Sequence, residues 1–336
     1  MGKIGVGVIG LGNAGMLHAA ILKHEVPEAK LVCVSDVSER VASETGQQLE
    51  VDGIVGHQEL LERDDVDAVV IAVPTQLHMS MLLSALEAGK HAFVEKPLAR
   101  SLEEARDAIR KVSTSDLVVQ VGYMRRFDEA YSEAKSRIDE GLIGRPILYR
   151  AVAHDPSPPT GWATDPGLSG GIFYDMLSHD FDMARHLMRS EVSTAYAVGS
   201  CMLYTDIGNK GDYDTASALL TFESGAHGYV EGVRKSTYGY DLRTEVVGSE
   251  ATVSVGNMGD SVITFADKQG IKQRGLRWFM GRFRQAFVDE DRNFIKSIMA
   301  HSPPKVSILD GLKAIEIAEA CRTSVGTMKP VSLKTP

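Results

Sequence analysis

A group of ionisable side chains near the middle of the chain could carry out acid–base chemistry. Asp175 and His179 lie four residues apart in the stretch SGGIFYDMLSHDFDMARHLM, which covers residues 169–188. Residues four apart share one face of an α-helix, so the two side chains are predicted to point the same way. Asp182 stays near that face, whereas Asp180 turns away from it. A histidine with a carboxylate one turn away can act as a tuned general base.

The same spacing allows two other interpretations. The pair can be a plain salt bridge on a helix, which requires no ligand. It can also belong to a metal site with nitrogen and oxygen ligands. Four side chains could supply those ligands: His154, Asp155, His179 and Asp182.

A second candidate for chemistry is a lysine at the end of a predicted strand. The stretch FVEKP places Glu95 and Lys96 at the C-terminal end of that strand and is closed by Pro97. In an open parallel sheet, ligands bind at the edge where the strands end. Lys96 could therefore face a substrate, although a lone lysine is more often a solvated surface residue.

A glycine-rich turn near the N-terminus could hold a dinucleotide. Residues 10–15 read G-L-G-N-A-G and lie between a predicted strand and a predicted helix. In this motif the first glycine permits a tight turn, the second lets the backbone approach a pyrophosphate, and the third lets the helix pack closely on the strand. The helix N-terminus also offers N–H groups to the phosphates. The candidate residues are Gly10, Gly12, Asn13, Ala14 and Gly15.

The end of the second predicted strand indicates which dinucleotide is bound. Asp36 lies 21 residues after Gly15. A carboxylate there accepts hydrogen bonds from the ribose hydroxyls of the adenosine and repels a 2′-phosphate. Arg40 could partly offset that repulsion, and Asp36 could instead be a helix N-cap. We predict NAD as the cofactor, with NADP less favoured.

The elements that must position these residues differ between the two parts of the chain. Apolar strands such as KIGVGVIGL and DAVVIAVP alternate with helical segments over the first 120 residues. This alternation predicts a parallel sheet covered on both faces. Between residues 193 and 265, successive short strands separated by tight turns favour an antiparallel sheet. We place the two domains at residues 1–122 and 123–336.

Composition narrows the class of protein. The chain has 336 residues, too many for one ordinary core, so two domains are expected. A net charge of −9 argues against general binding to nucleic acid or to anionic lipid. The cysteines match neither a disulfide framework nor a zinc ribbon, so we expect a cytoplasmic protein. The apolar N-terminus is interrupted by glycines, and we expect neither a signal peptide nor a membrane span.

One stretch mixes arginines with aromatic residues. Residues 274–287 read RGLRWFMGRFRQAF, a composition that could stack on single-stranded nucleic acid and contact its phosphates. The acidic sequence VDEDRNF follows at once. We therefore favour a helix packed in the protein or facing another subunit.

Four motifs together resemble the glucose–fructose oxidoreductase / inositol dehydrogenase / MocA family. They are GLGNAG at 10–15, EKP at 95–97, GYMRRFD at 122–128 and GGIFYDMLSHDFDMAR at 170–185. The resemblance extends over nearly the whole chain. Within the family, HDPSPP at 154–159 and YGYDLRTEVVGSE at 238–250 are most similar to bacterial inositol 2-dehydrogenases.

The resemblance implies an α/β protein with an N-terminal Rossmann domain, which is a doubly wound parallel sheet. The C-terminal α/β domain would carry a large open, mostly antiparallel sheet that buries one face in a dimer or tetramer. The implied catalytic trio is Lys96, Asp175 and His179. The implied substrate contacts are Met124, Arg125 (or Arg126), Asp155 and Tyr240. The cofactor contacts outside the glycine-rich turn would be Asp36, Arg40, Thr75, His78, Glu95 and Tyr238.

The implied reaction is NAD-dependent oxidation of a ring alcohol of a cyclic polyol, myo- or scyllo-inositol, to a ketone. His179 would be the general base, Asp175 would orient it, and Lys96 would stabilise the developing alkoxide. One alternative is another sugar as substrate: glucose, an anhydrosugar such as levoglucosan, or a sugar phosphate. A different class is a sensor that binds NAD or sugar without catalysis, which the presence of all three trio residues argues against.

Overall fold

The computed structural model describes most of the chain, namely residues 2–112, 115–256, 264–268, 270–273 and 278–333. Its contacts divide the chain into two units. The first unit comprises Met1–Met124 and Gln285–Lys313, and the second comprises Arg125–Arg284 and Ala314–Pro336. Our predicted domains differ from these units mainly in one segment, because residues 285–313 pack in the first unit rather than in the second.

The first unit contains a six-stranded sheet in which every neighbouring pair is parallel. Its strands are β1 Ile4–Ile9, β2 Ala29–Asp36, β3 Asp52–Val55, β4 Ala68–Ile71, β5 His91–Glu95 and β6 Val119–Gly122. Their order across the sheet is β3-β2-β1-β4-β5-β6. This is the strand order of a Rossmann domain, and it confirms the predicted fold class.

Helices connect these strands, as the alternating sequence predicts. They are α1 Asn13–His24, α2 Glu39–Leu49, α3 Gln58–Leu61, α4 His78–Glu87 and α5 Leu102–Val112, with a short 3₁₀ turn at Thr75–Leu77. Val69 and Val70 are adjacent in β4 and both have no exposed surface. Because adjacent strand residues point to opposite faces, both faces of the sheet are covered there.

The second unit contains a seven-stranded mixed sheet. Its strands are β7 Pro146–His154, β8 Val192–Ser200, β9 Thr215–Phe222, β10 His227–Val233, β11 Asp241–Gly248, β12 Thr252–Val255 and β15 Val331–Ser332. Their order is β12-β11-β7-β10-β9-β8-β15. Only β7 and β10 pair in parallel; the other neighbours are antiparallel. The prediction of a mostly antiparallel sheet is confirmed. A separate ladder joins β13 Thr264–Asp267 to β14 Gly270–Gln273.

Short helices precede and interrupt this sheet, and two long helices follow it. The short ones are α6 Glu129–Asp139, α7 Pro166–Ser169, α8 Ile172–Asp175, α9 Ser178–Met188 and α10 Thr205–Asn209, with 3₁₀ turns at Met124–Phe127 and Gly161–Thr164. The long ones are α11 Phe279–Ala300 and α12 Ile308–Thr327. No helix in the described part of the chain is both long enough and apolar enough to cross a membrane.

The prediction that Asp175 and His179 share one continuous helix was wrong. Gly170 and Gly171 have φ angles of +83° and +74°, a conformation that ends the single turn α7. The single turn α8 then ends at Asp175, and α9 begins at Ser178. Asp175 and His179 therefore lie on successive helical segments.

The arginine- and aromatic-rich stretch is a packed helix over its described part. Residues 274–277 lie outside the described residues. Further along, Phe283 and Phe287 are buried. Arg282 donates two hydrogen bonds to the carboxylate of Asp128. These side chains are held inside the protein, which agrees with the interpretation that we favoured.

Candidate active site

The glycine-rich turn has the backbone geometry that its motif requires. Gly10 has a φ of +90°, and a Cβ placed there would lie 2.6 Å from the carbonyl oxygen of Ala72. A Cβ on Gly15 would lie 1.8 Å from the carbonyl oxygen of Gly10. A Cβ on Gly12, the N-cap of α1, would meet no atom within 4 Å. Two glycines are thus needed by the fold, whereas the middle one opens onto free space that a ligand can fill.

Asp36 is tied to that turn by its carboxylate. Its Oδ2 accepts a hydrogen bond from the backbone N–H of Leu11 at 3.0 Å, and its Oδ1 accepts one from Ser38 at 2.9 Å. The N-cap of α2 is Ser38, not Asp36, so the N-cap alternative was wrong. Arg40 is exposed and pairs with Glu44 at 2.7 Å.

Two further predicted cofactor residues lie at the carboxyl edge of the parallel sheet. Thr75 and His78 are buried at the start of the segments that follow β4. The Nδ1 of His78 lies 2.8 Å from the carbonyl oxygen of Pro97, and its Nε2 lies 2.9 Å from that of Val73. Burial lowers the pKa of His78, although both carbonyl contacts oppose that effect. The ring joins the loop after β4 to the loop after β5.

Lys96 follows the end of β5 and is half-buried. Its backbone N–H donates to Glu95 Oε2 at 2.9 Å, and Glu95 Oε1 lies 3.0 Å from Nε2 of His18. Burial favours the neutral carboxyl, but the His18 hydrogen bond and the charges of His18 and Lys96 hold the pKa of Glu95 below its ordinary value. Glu95 is therefore an anion beneath the lysine that we predicted to be catalytic.

In the second unit, two buried ion pairs hold the start of α9. Arg125 Nη1 donates to Asp180 Oδ1 at 2.7 Å. Arg126 donates to both oxygens of Asp182, from Nε at 2.8 Å and from Nη2 at 2.6 Å. All four side chains are less than a tenth exposed. Buried arginine–carboxylate pairs with this geometry fix orientation strongly, because neither charge can turn towards water.

His179 lies directly before the residues that these two pairs hold. It is the second residue of α9, is 7% exposed and directly precedes Asp180. The hydroxyl of Tyr149 adds a hydrogen bond to the backbone oxygen of Asp180 at 3.2 Å. Asp175, at the end of α8, is half-buried. The start of the helix that carries the predicted base is thus held by contacts to the residues after it.

The predicted substrate contacts occupy different surroundings. Both candidate arginines, Arg125 and Arg126, are engaged in the ion pairs above. Met124 is buried. Asp155 follows β7 and is half-buried. Tyr240 is buried with its ring centroid 6.3 Å from that of Trp278, and burial raises its pKa.

Tyr238 was predicted near the cofactor, and the structure places it in the second unit with 47% of its surface exposed. Its hydroxyl donates to Asp241 Oδ2 at 2.7 Å. This hydrogen bond raises the pKa of Tyr238, and burial adds to the effect. The phenol therefore stays neutral and serves as a donor at ordinary pH.

The metal hypothesis finds no support in the described part of the chain. No group of three or more His, Cys, Asp and Glu side chains there is placed to hold an ion. His154 instead lies with its Nε2 3.0 Å from Glu231 Oε1, and Asp182 is bound by Arg126. These candidate ligands have protein partners of their own.

A cavity of about 500 Å³ opens in the first unit at the amino ends of strands β2 and β3. Its charged lining consists of Lys3, Lys23, Lys30, Glu50, Asp52, Arg63 and Asp65. None of the predicted site residues lines it. In parallel sheets, ligands bind at the opposite, carboxyl edge, so we do not assign the cavity to the active site.

Sequence reasoning missed the buried partners of the predicted residues. Asp180 was predicted to turn away from the face of Asp175 and His179, but its buried partner there, Arg125, was not predicted. His18, which contacts Glu95, was not a candidate at all. Its second partner, Asp291, is 273 residues away in sequence. A single sequence carries no signal for a pair so distant.

Two family models match the chain. Residues 4–123 match that of the oxidoreductase family with an NAD-binding Rossmann fold. Residues 131–254 match that of the GFO/IDH/MocA C-terminal domain. Together the matches cover more than half of the chain.

Several inositol dehydrogenases are similar to the chain over nearly its whole length. It is 37% identical over 331 residues to the myo-inositol 2-dehydrogenase of Thermotoga maritima, a match covering 98% of each chain. It is 38% identical to the scyllo-inositol 2-dehydrogenase (NAD(+)) of Bacillus subtilis, covering 97% of this chain and 95% of the other. The solved scyllo-inositol dehydrogenase of Lactobacillus casei, with bound NAD(H) and scyllo-inositol, matches with a TM-score of 0.92 at 29% identity, covering 98% and 99%.

The buried ion pair between Arg126 and Asp182 leads to a stability prediction. Arg126→Met removes both hydrogen bonds from the guanidinium to Asp182 and leaves a buried carboxylate without its nearest counter-charge. We expect the free energy of unfolding, measured by chemical denaturation, to fall by about 3–5 kcal/mol. The control Arg40→Met breaks the exposed pair with Glu44 and should cost no more than about 1 kcal/mol. Equal losses in the two variants would contradict this account.

Proposed function

Because the chain belongs to the GFO/IDH/MocA oxidoreductase family, we propose that it oxidises a ring secondary alcohol of inositol to a ketone with NAD. The substrate is myo- or scyllo-inositol, on the strength of the two relatives named for those reactions. The observation that carries the proposal is that the trio Lys96, Asp175 and His179 occurs in a chain so similar to them, with His179 held by buried ion pairs.

The first unit fits NAD. The space beside Gly12 would admit the pyrophosphate, next to the N-terminus of α1. The carboxylate of Asp36, already held by the turn, would accept hydrogen bonds from the ribose and disfavour a 2′-phosphate. NAD, when bound, supplies the acceptor for the hydride. Arg40 is exposed and pairs with Glu44. Asp36 is therefore the residue that we expect to set the preference for NAD over NADP.

The protein's own residues would handle the proton. His179 accepts the hydroxyl proton of the substrate at Nε2, because Nδ1 is buried within the protein. Asp175 orients the ring. Lys96 donates a hydrogen bond from Nζ to the same substrate oxygen and stabilises the charge that develops on it. Base catalysis of this kind contributes about 10²–10⁴ in rate.

We also infer a homo-oligomer, a dimer or a tetramer, that assembles through the sheet of the second unit. Tyr196 of β8, Leu219 of β9 and Tyr229 of β10 are neighbours in register on one face of that sheet. Leu219 is 56% exposed, whereas the next residue, Leu220, is buried on the other face. Leu219 thus lies exposed between two half-buried tyrosines, and such an aromatic and aliphatic row across three strands is typical of a surface that another subunit covers.

We place the protein in the cytoplasm. Cys33, Cys201 and Cys321 are all free, and burial raises the pKa of the thiols of Cys33, to about 12, and of Cys321. Such protonated, enclosed thiols behave as small core residues and suit a reducing compartment.

The substrate assignment is tested by following NADH absorbance. Purified protein is mixed with NAD or NADP and with myo-inositol, scyllo-inositol, chiro-inositol, glucose, xylose or levoglucosan. We expect strong reduction of NAD with myo- or scyllo-inositol and weak reduction of NADP. If a sugar is oxidised instead, the substrate assignment changes, and the proposed roles of the trio stay the same. Silence throughout, with NAD still bound, would contradict the proposal and favour a sensor.

Loss of the proposed base should separate catalysis from cofactor binding. His179→Ala should lower kcat by about 10²–10⁴ and leave the Kd for NAD, measured by fluorescence titration, unchanged. His186→Ala, seven residues further along α9, is the control and should retain the native kcat. A parallel loss of NAD affinity in His179→Ala would remove His179 from the role of base.

The proposed subunit interface predicts a change in molar mass. Leu219→Glu places a charge in the apolar row and should shift the protein towards monomer in size-exclusion chromatography with light scattering. Leu309→Glu is the matched control, since Leu309 is similarly exposed, at 52%, but lies in the first unit. The idea fails if the native protein is a monomer, or if both variants keep the native mass.

A further inference from the structure

His18 is a buried histidine to which the mechanism above gives no role. It lies in α1, three residues after the last glycine of the motif, and has no exposed surface. Its Nδ1 is 2.7 Å from Asp291 Oδ1, and its Nε2 is 3.0 Å from Glu95 Oε1. All three residues belong to the first unit.

The partners of His18 determine its charge. A carboxylate can only accept a hydrogen bond, and a neutral imidazole can donate only one. Short contacts from both ring nitrogens to carboxylates therefore require the imidazolium. Burial alone disfavours that charge, but Asp291 and Glu95 together raise the pKa of His18 well above its ordinary value.

The surroundings keep water away from this charged group. The ring of His18 lies 5.0 Å from that of Phe93 and 5.6 Å from that of Phe287, measured between centroids. Both aromatic residues are buried. With water excluded, the interactions among the three charges are only weakly screened.

Glu95 connects this group to the proposed catalytic lysine. Its Oε1 faces His18, and its Oε2 accepts the backbone N–H of Lys96. On the other side, a Cβ on Gly122 would lie 3.1 Å from Oε2, so the neighbouring strand leaves the carboxylate little room to turn. The charges of Glu95 and Lys96 also act on each other, so a change in the charge of Glu95 changes the field at Lys96.

We propose that His18 is a positioning residue for Lys96: as a buried imidazolium held by Asp291, it fixes the Glu95 carboxylate under Lys96 and offsets its negative charge. This inference rests on the proposed function only for the role of Lys96. Without His18, the ammonium of Lys96 would face an uncompensated anion and would hold its proton more tightly. The lysine would then be a poorer donor to the developing alkoxide.

The charged and titratable groups around His18 and Lys96 come from three elements of the first unit. Glu95 ends β5 and Asp291 lies in α11. His78 of α4 is the third, since the charges of both Glu95 and Lys96 act on it. Burial lowers the pKa of His78, so its ring stays neutral at alkaline pH.

The charge of His18 can be measured without turnover. In protein labelled with ¹⁵N-histidine, the resonances of His18 are assigned by their loss in His18→Gln, or in His18→Asn if the first variant does not fold. We expect both ring nitrogens to remain protonated at pH values well above 6.5, the ordinary pKa of histidine. A neutral His18 ring at pH 7 would overturn the proposal.

Two variants with opposite expected signs test the link to Lys96. In His18→Gln, the alkaline limb of log kcat/KM should move to higher pH by about one unit, because Glu95 loses its counter-charge. In Glu95→Gln it should move to lower pH by a similar amount. His24→Gln is the control and should not move the limb. A purely structural role would lower the melting temperatures of both variants and leave the limb in place, and that result would overturn the proposal.

The fraction of Lys96 that is acetylated by acetic anhydride, followed by mass spectrometry across pH, supplies the same comparison without a substrate. Opposite shifts of the labelling midpoint in His18→Gln and Glu95→Gln would support the inference even if no polyol is oxidised. Normal inositol turnover with identical midpoints in all variants would refute it and leave the proposed function intact. If His18→Gln does not fold, the direction in which the labelling midpoint of Lys96 shifts in Glu95→Gln decides the test.

Discussion

The need to pair every charge that is taken out of water shapes both parts of this protein. Removing a charged group from water costs several kcal/mol, and a pair recovers that cost only when its geometry is good. Arg125 and Arg126 meet Asp180 and Asp182 at 2.6–2.8 Å, and His18 meets two carboxylates at 2.7 and 3.0 Å. These contacts contribute little net stability compared with apolar packing. Their main effect is on orientation, because each contact allows the side chains that it joins only one arrangement.

In both parts, such charge pairs lie next to a residue that we propose to be catalytic. In the second unit, the arginine pair anchors the residues directly after His179. In the first, the His18 group lies directly before Lys96. The backbone does the remaining work: Gly10 and Gly15 have no room for a side chain, while Gly12 has room to spare. Rigid packing and an open space are thus set two residues apart, which is what a site for a large, polar cofactor requires.

The sequence predicted what depends on local pattern and missed what depends on distant partners. Apolar runs such as AVVI at Ala68–Ile71 indicated a sheet covered on both faces, and the glycine spacing indicated the turn. The break between α8 and α9, at residues 176 and 177, was missed, because apolar periodicity continues across it. The buried partner of Asp180 was missed as well, since Arg125 lies 55 residues away in sequence. Charge pairs of this kind are set by tertiary packing, and helical spacing alone carries no information about them.

The return of residues 285–313 to the first unit has a consequence for synthesis on the ribosome. The backbone N–H of Val121, in edge strand β6, donates a hydrogen bond to the carbonyl oxygen of Val306 in this late segment. The same segment supplies Asp291, which is a partner of His18. The parallel sheet is complete in sequence at residue 124, yet its last partners emerge 189 residues later, at 313. At ordinary elongation rates this is an interval of about 10–40 s. During that time a nascent chain carries an unfinished sheet edge and a histidine that lacks one of its two carboxylate partners. Unpaired strand edges of this kind are why folding intermediates need chaperones.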